Sequence, residues 1–197
     1  MPGTEYGIRS SGLGTKPGTQ VNHCMSVTDE ALLRLSAFAA IGGGALRIVS
    51  AFAGELDAEV PEQIFYLVID ILLLFGTIGI YLVQRHRVGW LGFLGFVFAA
   101  SGLALITGPD ATIFGLDVYP LGSNVIGAGL LLLSLAMFTT KSLSAWAPGL
   151  WIASIVLGAI TFHVPGAEWF FLPTGVLFGA GFIVAGAAIL NRFTRKP

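Results

Sequence analysis

The stretch QIFYLVIDILLLFGTIGIYLVQRHR, residues 63–87, carries one charged residue, Asp70, before it ends in two arginines. Its apolar part matches the roughly 30 Å hydrocarbon core of a bilayer, which an α-helix crosses in about 20 residues. This apolar part belongs to the second of six apolar stretches. The six stretches lie at roughly 31–53, 62–84, 88–107, 120–140, 147–164 and 171–191. The sequence therefore predicts an all-α membrane protein, a bundle of six transmembrane helices.

The links between these stretches alternate in charge. The first, third and fifth links carry only acidic charges, and the even links and the tail carry only basic ones. The acidic residues are Glu55, Asp57, Glu59, Glu62, Asp110, Asp117 and Glu168, and the basic ones are Arg85, Arg87, Lys141, Arg192, Arg195 and Lys196. By the positive-inside rule, we expect a multi-pass protein of the bacterial inner membrane with both termini in the cytoplasm.

Composition divides the chain into three parts. Residues 1–30, rich in Gly, Thr and Ser, are predicted to form a disordered cytoplasmic arm, residues 31–191 the transmembrane domain, and residues 192–197 a basic cytoplasmic tail. With 55% hydrophobic and 11% charged residues, a soluble domain is excluded. No basic patch points to a nucleic-acid partner, and the single cysteine, Cys24, excludes an intrachain disulfide. The sequence predicts no metal site and identifies no cofactor.

Two kinds of recurrence favour three tandem helical hairpins. The triplet Gly-Ala-Gly occurs at residues 127–129 and again at 179–181, and residues 68–73 and 125–130 both begin with Val-Ile. A proline stands at or near the start of each returning helix, at Pro61, Pro120 and Pro173. The alternative is chance recurrence in a chain rich in Leu, Gly, Ala and Phe.

Small residues four apart mark faces where helices can approach closely. These are Ser36, Ala40 and Gly44; Ala39 and Gly43; Gly95 and Ala99; Ser154 and Gly158; Gly175 and Gly179. Such faces serve either packing within one chain, which we favour, or contact with a protein partner or a second copy. The lipid bilayer is the other expected partner. The alternative is a small-molecule ligand, which would bind to the charged residues within the spans.

Only Arg47 and Asp70 are charged and lie well inside predicted spans. Counted from the outer helix ends, both lie roughly 10 to 12 Å below the outer surface, on adjacent antiparallel helices. An unpaired charge at this depth costs about 2.5 kcal/mol or considerably more. The sequence therefore predicts that the two side chains meet.

Helical periodicity places each charge on a polar or small-residue face. On the second helix the polar stripe spans an arc of about 60° and contains Gln63, Tyr66, Asp70, Thr77 and Tyr81. On the first helix an arc of about 80° contains Ser36, Ala40, Gly43, Arg47 and Ser50.

Three roles are open for these two faces. The first is a salt bridge that fixes the packing of the first hairpin. The second is an outward-facing pocket in which Arg47 binds an anionic group. The third is a proton or ion relay through Asp70. In the pocket, the further contacts would come from Tyr66, Gln63 and Ser50.

Three polar residues towards the outer side are secondary candidates. His163 lies near the outer end of the fifth helix, close to Glu168, and Asn124 lies in the outer half of the fourth helix. A hydrogen bond from an interfacial histidine to its loop is the simpler role for His163. A pH-dependent role with Glu168 is the alternative.

The sequence favours a non-catalytic role. It lacks a Walker phosphate loop, a zinc-binding histidine pair and a serine nucleophile elbow. We expect an accessory, scaffold or interaction subunit of a membrane complex, and the alternative is a protein that binds or transports a small solute through the site around Arg47 and Asp70. In size, six spans and cytoplasmic termini, the chain resembles the substrate-binding membrane components of vitamin-uptake systems; this resemblance assigns no residue a role.

Overall fold

A computed structural model describes residues 27–52, 59–107, 112–113, 116–140 and 144–194. Its helices are α1 (Val27–Phe52), α2 (Glu59–Gln84), α3 (Gly89–Ile106), α4 (Val118–Thr140), α5 (Trp146–His163) and α6 (Phe171–Thr194). Two short strands, β1 (Thr112–Ile113) and β2 (Leu116–Asp117), and a 3-10 turn, Glu168–Phe170, lie in links. The predicted helical bundle is confirmed.

The helices extend beyond the predicted bounds at both ends of the chain. α1 begins at Val27, so the last four residues assigned to the arm form its first turn, where Asp29 and Glu30 complement the helix dipole. α6 continues through Arg192 to Thr194, into the predicted tail. The remainder of the arm, residues 1–26, and of the tail, residues 195–197, lies outside the described residues.

Five helices are long and apolar enough to cross a membrane: α1, α2, α3, α4 and α6. The apolar part of α5, Trp146–Thr161, is shorter than the others. Large apolar side chains such as Phe38, Phe75 and Leu135 are exposed on the outside of the bundle. An exterior of this kind is expected where the surrounding medium is lipid, so the chain has the features of a multi-pass membrane protein.

The six helices close into a ring in which α1 packs against both α2 and α6. The contacts run antiparallel: Gly44 meets Gly179, and Gly186 lies against Ala37. The start of α1 and the end of α6 therefore lie at the same end of the bundle, where the Arg34 guanidinium is 5.5 Å from the centre of the Phe193 ring. α3 and α4 form a second close pair.

The repeated Gly-Ala-Gly triplets lie at two close helix contacts. Gly129 of α4 lies against the backbone of Ala99 in α3, and Gly179 of α6 lies against the backbone of Gly44 in α1. The first triplet thus packs within a sequential hairpin, whereas the second joins the last helix to the first through Gly179 and also lies against Trp151 of α5 through Gly181. Tandem hairpins account for the α3–α4 pair but not for the α1–α6 contact, which closes the ring.

Small residues also join α1 to α2. A Cβ atom on Gly76 would lie 2.8 Å from the Ala40 Cα, and one on Gly79 would meet the Ser36 side chain. Elsewhere, the Ser154 hydroxyl donates to the Thr174 carbonyl oxygen at 3.0 Å, between α5 and α6. The small-residue faces named from the sequence are thus used for packing within the chain.

Candidate functional site

Arg47 and Asp70 lie at nearly the same depth in the bundle. The contacts of Gly79 with Ser36 and of Gly76 with Ala40 fix the antiparallel register of α1 and α2. Extended towards the end of α1 and the start of α2, this register places Asp70 level with residues 45–46 of α1 and Arg47 level with residues 68–69 of α2. At 1.5 Å per residue, their Cα atoms differ in depth by only about 2 to 3 Å.

The two side chains nevertheless do not form the predicted ion pair. Within the described residues, no nitrogen of Arg47 comes within 4.0 Å of an Asp70 carboxylate oxygen. The Arg47 guanidinium donates a long hydrogen bond of 3.4 Å to the Ser50 hydroxyl, which itself donates to the Arg47 carbonyl oxygen at 2.8 Å.

Arg47 points towards the junction of three helices. At 100° per residue, its position on α1 is about 20° from Ala40. It therefore lies between the side marked by Gly43, which contacts α2, and the side marked by Gly44, which contacts α6. The side chain is half-buried, and its hydrogen bond to the hydroxyl of the buried Ser50 places one guanidinium nitrogen next to a packed residue.

Asp70 also lies on an interior face. Its position on α2 is about 20° from that of Thr77, which is 1% exposed. The lipid-facing side of α2, marked by exposed Val68, Ile71 and Phe75, is centred roughly 120° away. Asp70 itself is half-buried, as expected for a position on this side of α2.

The polar stripe of α2 is more exposed near the start of the helix than near its end. Gln63 is exposed, Tyr66 and Asp70 are half-buried, and Thr77 is almost completely buried. The stripe continues one step further than predicted, to Gln84, which is 0% exposed. Tyr81, between Thr77 and Gln84, is half-buried, so the stripe is more exposed towards the acidic end of the helix, but the exposure does not fall evenly along it.

The two buried polar side chains of the stripe each form a hydrogen bond within α2. The Thr77 hydroxyl donates to the Leu73 carbonyl oxygen at 2.8 Å, and the Gln84 amide donates to the Ile80 carbonyl oxygen at 3.3 Å. Thr77 therefore uses its proton on its own helix and is a poor candidate for ligand contact. Gln84 was missed in the sequence, although its spacing of seven residues from Thr77 places it on the same face.

An aromatic cluster on α5 and α6 includes one ring, that of Phe178, at the depth of Asp70. The Phe178 and Phe182 rings are 5.2 Å apart, and Phe182 packs edge-on against Trp151, also at 5.2 Å. The register of Gly44 with Gly179 puts Phe178 at the depth of Asp70. Phe178 is half-buried; periodicity alone could not distinguish it from an ordinary core residue.

Two of the three secondary candidates, Asn124 and His163, are exposed on α4 and α5, away from Arg47 and Asp70. Asn124 is exposed on α4, about 140° from Gly129, the residue that packs against α3. His163 is exposed at the last residue of α5. The Glu168 side chain is not among those described, so its relation to His163 stays a prediction.

Comparison with known proteins gives no relative from which a role could be transferred. No protein-family model, curated protein or solved structure matches the chain. The functional argument therefore depends on the geometry of Arg47, Asp70 and the open end of the α2 stripe.

Proposed function

We propose that this chain is a non-catalytic integral membrane protein that binds a small polar solute at an outward-facing site containing Arg47 and Asp70. The observation that carries the proposal is the difference in side-chain exposure along α2: Asp70 is half-buried, whereas Thr77 and Gln84 are buried. A polar interior face that is open at one end and closed at the other has the form of a binding site.

The accessory-subunit hypothesis relied on Arg47 and Asp70 as a packing device. The first hairpin packs through Gly76 on Ala40 and Gly79 on Ser36, without contact between the two charges. Charged groups near the middle of a membrane are costly and are typical of sites that bind or conduct. Two such groups that do not stabilise each other by contact support a functional role over a structural one.

We further propose that all six helices span the bacterial inner membrane, with both termini cytoplasmic. α5 and α3 each contain 18 residues, and α5 packs between α4 and α6 in the ring. The basic residues Arg85, Arg87 and Arg192 occur at the end where α1 begins and α6 ends. The positive-inside rule then places the open end of the stripe on the extracytoplasmic side.

A transport function would require a second conformation. In the present arrangement, Thr77 and Gln84 close the inner half of the stripe, and Trp151 and Phe182 fill the core beside it. A solute at Asp70 could pass inward only if this packing opened. The structure therefore supports binding from outside, and transport is the extension that an uptake assay would test.

Native mass spectrometry of the protein, extracted in mild detergent from its own host, tests the proposal. We expect a retained small molecule of defined mass in the wild-type protein, and its loss in Arg47→Gln and in Asp70→Asn. Asn124→Ala is the matched control, because this polar residue is exposed on α4 away from the site, and it should retain the molecule.

The same measurement addresses the accessory-subunit alternative. A stoichiometric protein partner, with no small molecule and no effect of either charge substitution, would contradict the binding proposal. This result would indicate that Arg47 and Asp70 have a structural role and that the protein is a scaffold or interaction subunit.

A further inference from the structure

We propose that the ligand of this site is a zwitterion, a small molecule whose carboxylate binds Arg47 and whose ammonium group binds Asp70. This inference rests on the proposed function and specifies the chemical class of the solute. It begins from the two opposite charges, which lie at matching depth on adjacent helices and on interior faces, yet are more than 4.0 Å apart.

A ligand with one charge would leave the other protein charge uncompensated. An anion at Arg47 would leave Asp70 as an isolated carboxylate near the membrane midplane, and a cation at Asp70 would leave Arg47 isolated. A zwitterion compensates both and adds no net charge to the interior. Charge balance therefore favours it over a simple acid or a simple amine.

The partners available to each side chain fit this arrangement. Arg47 has a weak contact with Ser50 and retains guanidinium donors, which suit a carboxylate in a bidentate geometry. Asp70 forms no hydrogen bond with the described residues, so its oxygens can accept from an ammonium group. Each charged side chain thus has capacity for the complementary end of the ligand.

Aromatic rings near the depth of Asp70 suit the rest of such a molecule. Tyr66 is one turn from Asp70 on the same face of α2 and is half-buried. Phe178 lies at the depth of Asp70 on α6. Rings in these positions can contact an apolar side chain and can stabilise an ammonium group through their faces.

The test measures binding to the purified full-length protein by its thermal unfolding midpoint, using matched sets of probes. The zwitterions are alanine and phenylalanine. The cationic probes are alaninamide and phenylalaninamide, and the anionic probes are propionate and 3-phenylpropionate. We expect at least one zwitterion to raise the midpoint and to bind at least about tenfold more tightly than its singly charged analogues.

Two variants assign each end of the ligand. In Asp70→Asn the preference for the zwitterion over the matched acid should disappear, because the ammonium group is no longer recognised. In Arg47→Gln the preference over the matched amide should disappear for the equivalent reason. A purely structural role would lower affinity for all probes by a similar factor, and that result would overturn the assignment.

The outcomes separate this inference from the proposed function. Binding of only acids or only amines would overturn the zwitterion and leave solute binding intact. If no probe binds but a cysteine at position 70 reacts with a water-soluble reagent, the zwitterion is overturned and the open polar site stands. Absence of both binding and reaction would overturn both.

Discussion

Gly129→Ala should destabilise the bundle strongly, although it adds only one methyl group. A Cβ atom at this position would overlap the backbone nitrogen of Ala99, and it would lie 2.8 Å from the Gly95 carbonyl oxygen. Backbone atoms cannot move aside by changing rotamer, so α3 and α4 would have to separate. Overpacking of this kind costs typically 1–3 kcal/mol, and we expect about 3 kcal/mol here.

Gly127→Ala is the matched control, two residues earlier in the same Gly-Ala-Gly triplet. A Cβ atom there would have no neighbour within 4 Å. Because alanine favours helix over glycine, we expect no loss and a gain of up to about 1 kcal/mol. The free energy of unfolding, measured by titration with a denaturing detergent, distinguishes the two. Equal stability of the variants would show that α3 and α4 are not in close contact.

Trp151→Ala should produce the second large loss of stability. Trp151 is 0% exposed, contacts the edge of Phe182 and lies against Gly181, where a Cβ atom would come within 2.5 Å of the indole nitrogen. Removing a large buried ring from a packed core costs about 3–5 kcal/mol. We expect the lower end, about 3 kcal/mol, since lipid also solvates the ring in the unfolded reference state.

Trp146→Ala provides the comparison on the same helix. Trp146 is 74% exposed, so its replacement should change the free energy of unfolding by less than about 0.5 kcal/mol. The loss of stability in Trp151→Phe should lie between those of Trp146→Ala and Trp151→Ala. This variant keeps an aromatic ring and removes an indole N–H that has no hydrogen-bond partner among the described residues. Similar losses for Trp146→Ala and Trp151→Ala would contradict the burial of Trp151.

Local patterns predicted much of this architecture. Apolar length defined the helices, and their bounds agree with the structure to within a few residues. The 3.6-residue period also placed Asp70 on the same face as Thr77, and counting from the helix ends gave the matching depth of Arg47 and Asp70. Each of these features depends on one helix or on two consecutive helices, where spacing along the chain determines position.

The features that were not predicted depend on contacts distant in the sequence. The absence of an ion pair between Arg47 and Asp70 was not predicted, because the register of α1 and α2 places the two residues at nearly the same depth but does not determine where their side chains point. The α1–α6 contact joins opposite ends of the chain, which hairpin patterns cannot reveal. Phe178 gave no signal of its own, since its depth, level with Asp70, follows from that contact alone.

The central claim is that Asp70 faces water that enters from outside, whereas Thr77 is sealed and Phe75 faces lipid. Single cysteines at these three positions, in a Cys24→Ser background that removes the only native cysteine, can be treated in intact cells with a membrane-impermeant thiol reagent. Phe75 is 55% exposed and Thr77 is 1% exposed, so together they control for contact with lipid and for burial.

We predict that the cysteine in Asp70→Cys reacts, and that those in Phe75→Cys and Thr77→Cys do not. Reaction requires a thiolate in water, which lipid and the packed interior both exclude. A protected cysteine at position 70, in a variant that still reaches the membrane and unfolds at the wild-type temperature, would contradict an outward-facing site at Arg47 and Asp70.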